Sequence, residues 1–257
     1  MATALITGGT SGIGNEFARQ LAEQGHDLVL VARDADRLAA VAESLQEMYG
    51  VEVATLVADL AERADVMRVA ERLEDAEQPI DIFVSNAGFG IHKPLLTREV
   101  EAHAKALDVM ALAVLILGGA AGRAMKARGR GTIINVSSTA GALYTGHYSA
   151  IKAWCTNYSV SLALELAETG VTVTTLEPGW VHTEFHERAG ISASKLPDVV
   201  WIDKTKLVRD CLADAAKGKV ESIPARRWKA AMFLANHGPR AALRWASAKL
   251  SNSRRKQ

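Results

Sequence analysis

The sequence predicts an α/β fold, a single domain built on a doubly wound parallel sheet and extended at its C-terminus by a basic helical segment. Three observations carry that expectation. Short β-branched runs alternate with longer stretches of 3.6-type spacing through the first 224 residues. A glycine-rich turn follows the first of those runs directly. Positive charge is gathered at one end of a chain whose formal net charge is only +1.

Strands are expected at Thr3 to Thr7, Asp27 to Val31, Val51 to Val57, Ile80 to Ser85, Gly131 to Ser137, Val171 to Glu177 and, more weakly patterned, Val220 to Ile223. Helical spacing covers Asn15 to Gln24, Arg37 to Met48 and a long segment from Glu99 to Met125. Such alternation implies helices on both faces of a parallel sheet, with ligands bound outside the carboxyl ends of its strands. At 257 residues and 49% hydrophobic the chain can bury one large core, and no linker divides it. Residues 1–224 are expected to form the dinucleotide-binding and catalytic domain, with 184–224 a variable substrate region and 225–257 the extension.

The apolar run Val109 to Ala121 is 13 residues long, short of the roughly 20 that span a bilayer, and is expected to be a buried helix. A first strand at Thr3 leaves no room for a signal peptide. Cys155 and Cys211 have neither metal-ligand spacing nor a disulfide framework around them, which favours a reducing compartment. The expected location is cytoplasmic, with membrane association if the tail binds lipid; no metal site is expected.

The first strand runs into "TGGTSGIG", Thr7 to Gly14. Gly8, Gly12 and Gly14 let the backbone turn tightly and approach a pyrophosphate, and Thr10, Ser11 and Ile13 complete the turn. The helix that starts there points free N–H groups and its positive dipole end at the anion. At the end of the second strand, where an acid would hold the ribose 2′-hydroxyl of NAD, the chain reads "VARDADR". Arg33 there suits a 2′-phosphate, so NADP(H) is expected ahead of NAD(H); Asp34, one residue on, leaves the other reading open. Downstream, "YSAIK" sets Tyr148 and Lys152 four apart, on one helix face. A free phenol, with a pKa of about 10, is a poor base at neutral pH, and a fixed cation beside it favours the phenolate.

Together with "ADL" (Ala58 to Leu60), "NAG" (Asn86 to Gly88), "NVSS" (Asn135 to Ser138) and "PGWVHT" (Pro178 to Thr183), these motifs resemble the short-chain dehydrogenase/reductase family in its compact form. The resemblance covers Thr7 to Thr183 and implies a Rossmann-type sheet and hydride transfer between a nicotinamide cofactor and a carbonyl or alcohol. It implies that Tyr148 is the proton donor or acceptor, that Lys152 tunes it and holds the nicotinamide ribose, and that Ser138 hydrogen-bonds the substrate oxygen, with Ser137 as the alternative. Asp59 and Leu60 would lie at the adenine, Asn86, Ala87 and Gly88 along the cofactor, and Pro178, Gly179, Val181 and Thr183 near the nicotinamide amide. Two departures stand out. Met110 falls where the family has an asparagine that helps hold a relay water. Ser138 and Tyr148 are ten apart where about thirteen is usual, so the loop Gly141 to His147 is short, and His147 reads as a loop residue.

An apolar ketone or alcohol is the expected substrate, because Glu184 to Pro224 carries Phe185, Ile191, Leu196, Val199, Val200, Trp201 and Ile202. After Glu221 come nine Lys or Arg and no acid, interleaved with Trp228, Phe233, Leu234, Trp245 and Leu250. That pattern suits either peripheral contact with an anionic membrane or a helix packed over the pocket; no nucleic-acid motif accompanies it. "GGAAG", Gly118 to Gly122, suggests close helix contact within a homodimer or homotetramer, or packing inside the chain. The function expected is an NADP-dependent oxidoreductase; the alternative is a cofactor-binding regulatory or scaffold protein without turnover.

Overall fold

The computed structural model describes residues 2–91, 93–182 and 200–255, with side chains through Leu250. Six strands, β1 (Thr3–Thr7), β2 (Asp27–Ala32), β3 (Val53–Val57), β4 (Ile82–Ser85), β5 (Gly131–Val136) and β6 (Val171–Leu176), lie in the main sheet. β7 (Trp180–Val181) and β8 (Trp201–Ile202) pair with each other, and β9 (Glu221–Ser222) closes the main sheet beside β6. The order is β3-β2-β1-β4-β5-β6-β9, every neighbour parallel. The chain winds outward from β1 to β3, returns to the other side of β1 and winds out again. The strand order therefore reverses between β1 and β4, and that is where a crevice opens at the carboxyl ends.

Side chains alternate across the sheet as a period of two requires. Ala4, Ile6, Leu28 and Leu30 face one core, shared with α1 (Gly12–Glu23), α2 (Ala35–Tyr49) and later α7 (Lys204–Ala215). Leu5, Val29, Val31 and Phe83 face the other, under α3 (Arg63–Glu74), α4 (Glu101–Leu107), α5 (Ala113–Arg128) and α6 (His147–Glu165). Phe17, Leu21, Leu38, Leu73 and Leu117 are almost completely buried in these two layers, each contributing about 1.5–3 kcal/mol.

The helix boundaries follow their caps. α2 starts at Ala35, earlier than its apolar spacing indicates, because the Asp34 side chain accepts a hydrogen bond from the Arg37 backbone N–H at 3.0 Å. It stops at Gly50, whose φ of 67° is left-handed. α1 begins inside the glycine turn itself, at Gly12 rather than at Asn15. The long segment expected from Glu99 to Met125 is one continuous helix of α4, a π-helical turn over Asp108–Leu112, and α5. The widened turn was not legible from periodicity. By length and composition the stretch Glu101–Arg128 could cross a bilayer, but half of its apolar window is buried inside the fold. Gly118 and Gly122 within it face the chain's own α6: a Cβ on Gly118 would stand 2.5 Å from the Tyr158 hydroxyl, and one on Gly122 3.4 Å from Leu166. Packing inside the chain, on α6 rather than the sheet, accounts for these two glycines.

The extension is two consecutive helices, α8 (Arg226–His237) and α9 (Arg240–Arg255). Cys155 and Cys211 are both free and buried.

Candidate active site

β1 delivers the chain into the glycine turn at the point of strand reversal. Gly8 and Gly12 take φ values of 67° and 57°, a region that side chains rarely tolerate. Gly14 is required for a different reason: a Cβ there would lie 2.2 Å from the Gly8 carbonyl oxygen and 2.3 Å from Asn86 Nδ2. The turn therefore presses backbone on backbone and opens the N-terminus of α1, which carries no side-chain cap hydrogen bond. This cradle fits a pyrophosphate, as its N–H groups are not covered by a capping side chain.

The other wall of the crevice is stapled to the first. Thr7 Oγ1 accepts from the backbone N–H groups of Asn86 (2.9 Å) and Ala87 (3.1 Å) and donates to the Val84 carbonyl (3.4 Å). Asn86 Nδ2 donates to the carbonyls of Thr7 at 3.0 Å and Gly8 at 3.3 Å. Asn86 thus spends its side chain on holding β1 to β4. Gly88 lies against Met110, whose Sδ would be 3.1 Å from a Cβ at that position. Met110 is fully buried in the π-helical turn, so the site of the expected asparagine is filled by a thioether.

At the end of β2, Arg33 is exposed and pairs with Asp59 at 3.7 Å, while Lys105 of α4 reaches the same carboxylate oxygen at 3.5 Å. Asp34 is committed to capping α2. Leu60 is buried in the core and Asp59 is partly exposed beside the turn.

Across the crevice, α6 starts at His147, which is its first residue and not part of the loop. The His147 ring lies 4.5 Å from that of His103 in α4, and burial, then the neighbouring ring, lowers its pKa. Tyr148 is half-buried one residue on. Lys152 is 5% exposed; its Nζ donates to the Val136 carbonyl at 2.8 Å and stands 5.7 Å from the centre of the Tyr148 ring. Burial lowers the lysine pKa, and the hydrogen bond to the carbonyl of β5 fixes the position of Nζ.

The two serines of "NVSS" separate cleanly. Ser137 is 2% exposed and its hydroxyl is engaged by the Lys152 carbonyl and by Thr156 Oγ1, both at 2.8 Å. Ser138 is half-buried, caps the 3₁₀ turn Thr139–Ala142, and accepts from Ala140 N–H at 3.1 Å, which leaves its own hydroxyl hydrogen to donate.

The Pro178 carbonyl accepts from Thr139 N–H (3.1 Å) and Oγ1 (3.2 Å), tying that turn to the end of β6. Val181 is buried in β7, and Thr183 lies outside the described residues, as do Phe185, Ile191, Leu196 and Val199 of the expected substrate region. A cavity of ≈ 450 Å³ adjoins the segment after β4, lined by Phe89, Gly90, Ile91, Lys93 and Ala102.

The family model for short chain dehydrogenase matches residues 2–192. The chain belongs to that family. This short-chain dehydrogenase is 36% identical over 216 residues to an uncharacterized oxidoreductase of Staphylococcus saprophyticus, covering 83% of its own length and 88% of the relative's. It is 34% identical over 196 residues to the very-long-chain 3-oxoacyl-CoA reductase of Anas platyrhynchos, covering 71% of its own length and 61% of that protein's. Among solved structures, a short-chain dehydrogenase of Sphingobium yanoikuyae in complex with NADPH superposes with a TM-score of 0.83 at 34% identity, covering 90% and 92% of the two chains. The dehydrogenase is accordingly an oxidoreductase with the Rossmann-type sheet that its motifs imply.

Some residues that shape the site were not singled out for that role. Thr7 ends a strand, and nothing in its spacing signals a staple. Trp228 of α8 lies flat on Gly179, where a Cβ would be 2.1 Å from the indole, and its Nε1 donates to the Val200 carbonyl at 3.2 Å. Its partner is about fifty residues away in sequence, so only the fold brings them together.

Proposed function

We propose that this dehydrogenase transfers a hydride between NADP(H) and an apolar ketone or secondary alcohol, with Tyr148 as proton donor in reduction and acceptor in oxidation. The carrying observation is the Lys152 ammonium, buried, fixed on the Val136 carbonyl and 5.7 Å from the Tyr148 ring. A cation held there favours negative charge on the phenol, which makes it a proton shuttle near neutral pH. The Ser138 hydroxyl donates to the substrate oxygen and stabilises charge as it develops.

The reduced nicotinamide, when bound, supplies the hydride. The glycine turn and the α1 N-terminus hold its pyrophosphate, with Thr10, Ser11 and Ile13 along the turn and Asp59, Leu60, Ala87 and Gly88 bordering the crevice. Lys152 holds the ribose hydroxyls, and Pro178, Gly179, Val181 and Thr183 flank the nicotinamide. Arg33 reads the 2′-phosphate. The commitment of Asp34 to a helix cap supports NADP over NAD, as does the NADPH complex of the Sphingobium neighbour.

Phe89 and Ile91 at the ≈ 450 Å³ cavity support an apolar substrate. Lys93 on the same wall is paired with the Glu99 carboxylate. A homodimer or homotetramer forms through α5 and α6, where Leu115, Trp154 and Leu164 are exposed. Size-exclusion chromatography with light scattering reads that assembly directly.

The reading without turnover draws on Met110 alone. NADPH oxidation by purified protein over a panel of ketones and 3-oxoacyl thioesters separates the two, with Tyr148→Phe as control. Loss of about 10²- to 10⁴-fold in the control is expected; equal consumption by both proteins removes Tyr148 from the mechanism.

A further inference from the structure

Electrostatically, the α8–α9 pair is a foreign body on this fold. All 29 acidic residues lie at or before Glu221, while Arg226, Arg227, Lys229, Arg240, Arg244, Lys249, Arg254, Arg255 and Lys256 follow it. Yet the helix pair is not a solvated cationic tail. Its inner face is fixed: Met232 and Ser247 are buried, Trp228 covers Gly179, and Arg227 donates to the Trp201 carbonyl. Its exposed side chains include Phe233, Leu234 and Trp245, each more than three-fifths exposed, with Leu250 at 44%. Lys249 Nζ stands 5.3 Å over the Trp245 ring. Exposed aromatic and aliphatic side chains among cations, with no acid in either helix, are complementary to a surface that is anionic at its boundary and apolar beneath.

We infer that the exposed side of the α8–α9 pair docks on an anionic phospholipid surface, with Phe233, Leu234 and Trp245 entering the interface and Arg226, Lys229, Arg244 and Lys249 meeting the headgroups.

Its attachment gives the docking a direction. The Tyr144 backbone N–H donates to Ser247 Oγ at 3.1 Å, and Arg240 donates to the Tyr144 hydroxyl at 2.9 Å. Tyr144 belongs to the short loop that leads into α6 and Tyr148. Ser247 is buried, so this attachment lies on the side of the helices that faces the fold, and the docked pair stands between that loop and the lipid. The docking does not rest on the substrate reading above.

The test uses the full chain with phosphatidylcholine vesicles, with and without phosphatidylglycerol. Co-sedimentation with the anionic vesicles only is expected, weakening as salt is raised. Trp245 emission should shift to the blue on binding, and the shift should vanish in Trp245→Phe. The double variant Phe233→Ser/Trp245→Ser, whose positions are exposed, should lose roughly tenfold or more in lipid affinity. Its unfolding temperature and turnover of a water-soluble ketone should be unchanged. Absence of sedimentation, equal sedimentation with neutral vesicles, or an unshifted Trp245 overturns the inference. So does a double variant that turns an oligomer into a monomer while the parent ignores lipid, because the face then joins copies of the chain. Turnover of soluble ketones with no lipid binding would sink the docking and leave the enzymatic reading standing.

Discussion

The Asp34 carboxylate accepts the backbone N–H of Arg37 at 3.0 Å, so the acid that follows Arg33 serves as the N-cap of α2. The guanidinium next to it is exposed and paired with Asp59 at a loose 3.7 Å, so little would have to be given up to grip a phosphate. Arg33→Ser should raise the KM for NADPH by roughly tenfold or more and leave that for NADH nearly unchanged. Asp34→Ala should instead cost about 1 kcal/mol of stability through the lost cap and leave the coenzyme preference alone. Steady-state kinetics with both coenzymes, beside denaturant midpoints, reads the two effects separately.

The serine pair predicts a second dissociation of roles. Ser138→Ala removes a hydroxyl free to donate toward the crevice, and kcat should fall by about 10²-fold or more with the fold intact. Ser137→Ala breaks the links to the Lys152 carbonyl and Thr156 instead, and should cost about 1 kcal/mol of stability with a smaller change in kcat. Reversal of that ranking would assign the substrate contact to Ser137.

Glu177, at the end of β6, is 3% exposed, and burial followed by the charge of Glu221 pushes its pKa up to about 7 from the ordinary 4.5. An acid whose folded pKa is raised destabilises the fold only once the unfolded chain can ionise. Stability should therefore be unaffected below about pH 4.5, fall as pH rises toward 7, and level off above it. Glu177→Gln should remove that dependence, with a gain approaching about 3 kcal/mol above pH 7 and little gain near pH 4.5. Urea midpoints across this range, at constant m value, provide the check; a gain that does not grow with pH refutes the assignment.

Gly14 offers a steric prediction. Gly14→Ala would drive a methyl into the Gly8 carbonyl and Asn86, so the turn must open. Binding of NADPH, followed by quenching of protein fluorescence, should weaken by about tenfold or more, and the unfolding temperature should drop as well. Gly25→Ala is the control for space. Nothing lies within 4 Å of a Cβ there, so any cost comes from its φ of 80° alone and cofactor affinity should hold.

The sheet was legible because its strands are β-branched runs set off by glycines and polar turns, and every expected strand is present, even the two-residue β9. Strand ends were read too generously where the chain is merely extended, as at Val51 and Ile80. The π-helical turn was hidden because a single inserted residue does not disturb an apolar run that is hydrophobic all round. The individual fates of Asp34, Ser137 and Asn86 were hidden for another reason. Each can be a turn residue, a cap or a ligand, and which one it becomes depends on partners that only the folded backbone supplies. His147 shows the same limit: it heads α6 and its ring lies against that of His103, 44 residues earlier, a contact its spacing does not signal.

The Thr7 hydroxyl that holds Asn86 and Ala87 has a kinetic corollary. The rims of the crevice are joined before any coenzyme arrives, so adenylate and nicotinamide halves meet a rigid floor. Coenzyme capture can then proceed as a single docking event, and any slow isomerisation on binding must originate elsewhere than at this seam.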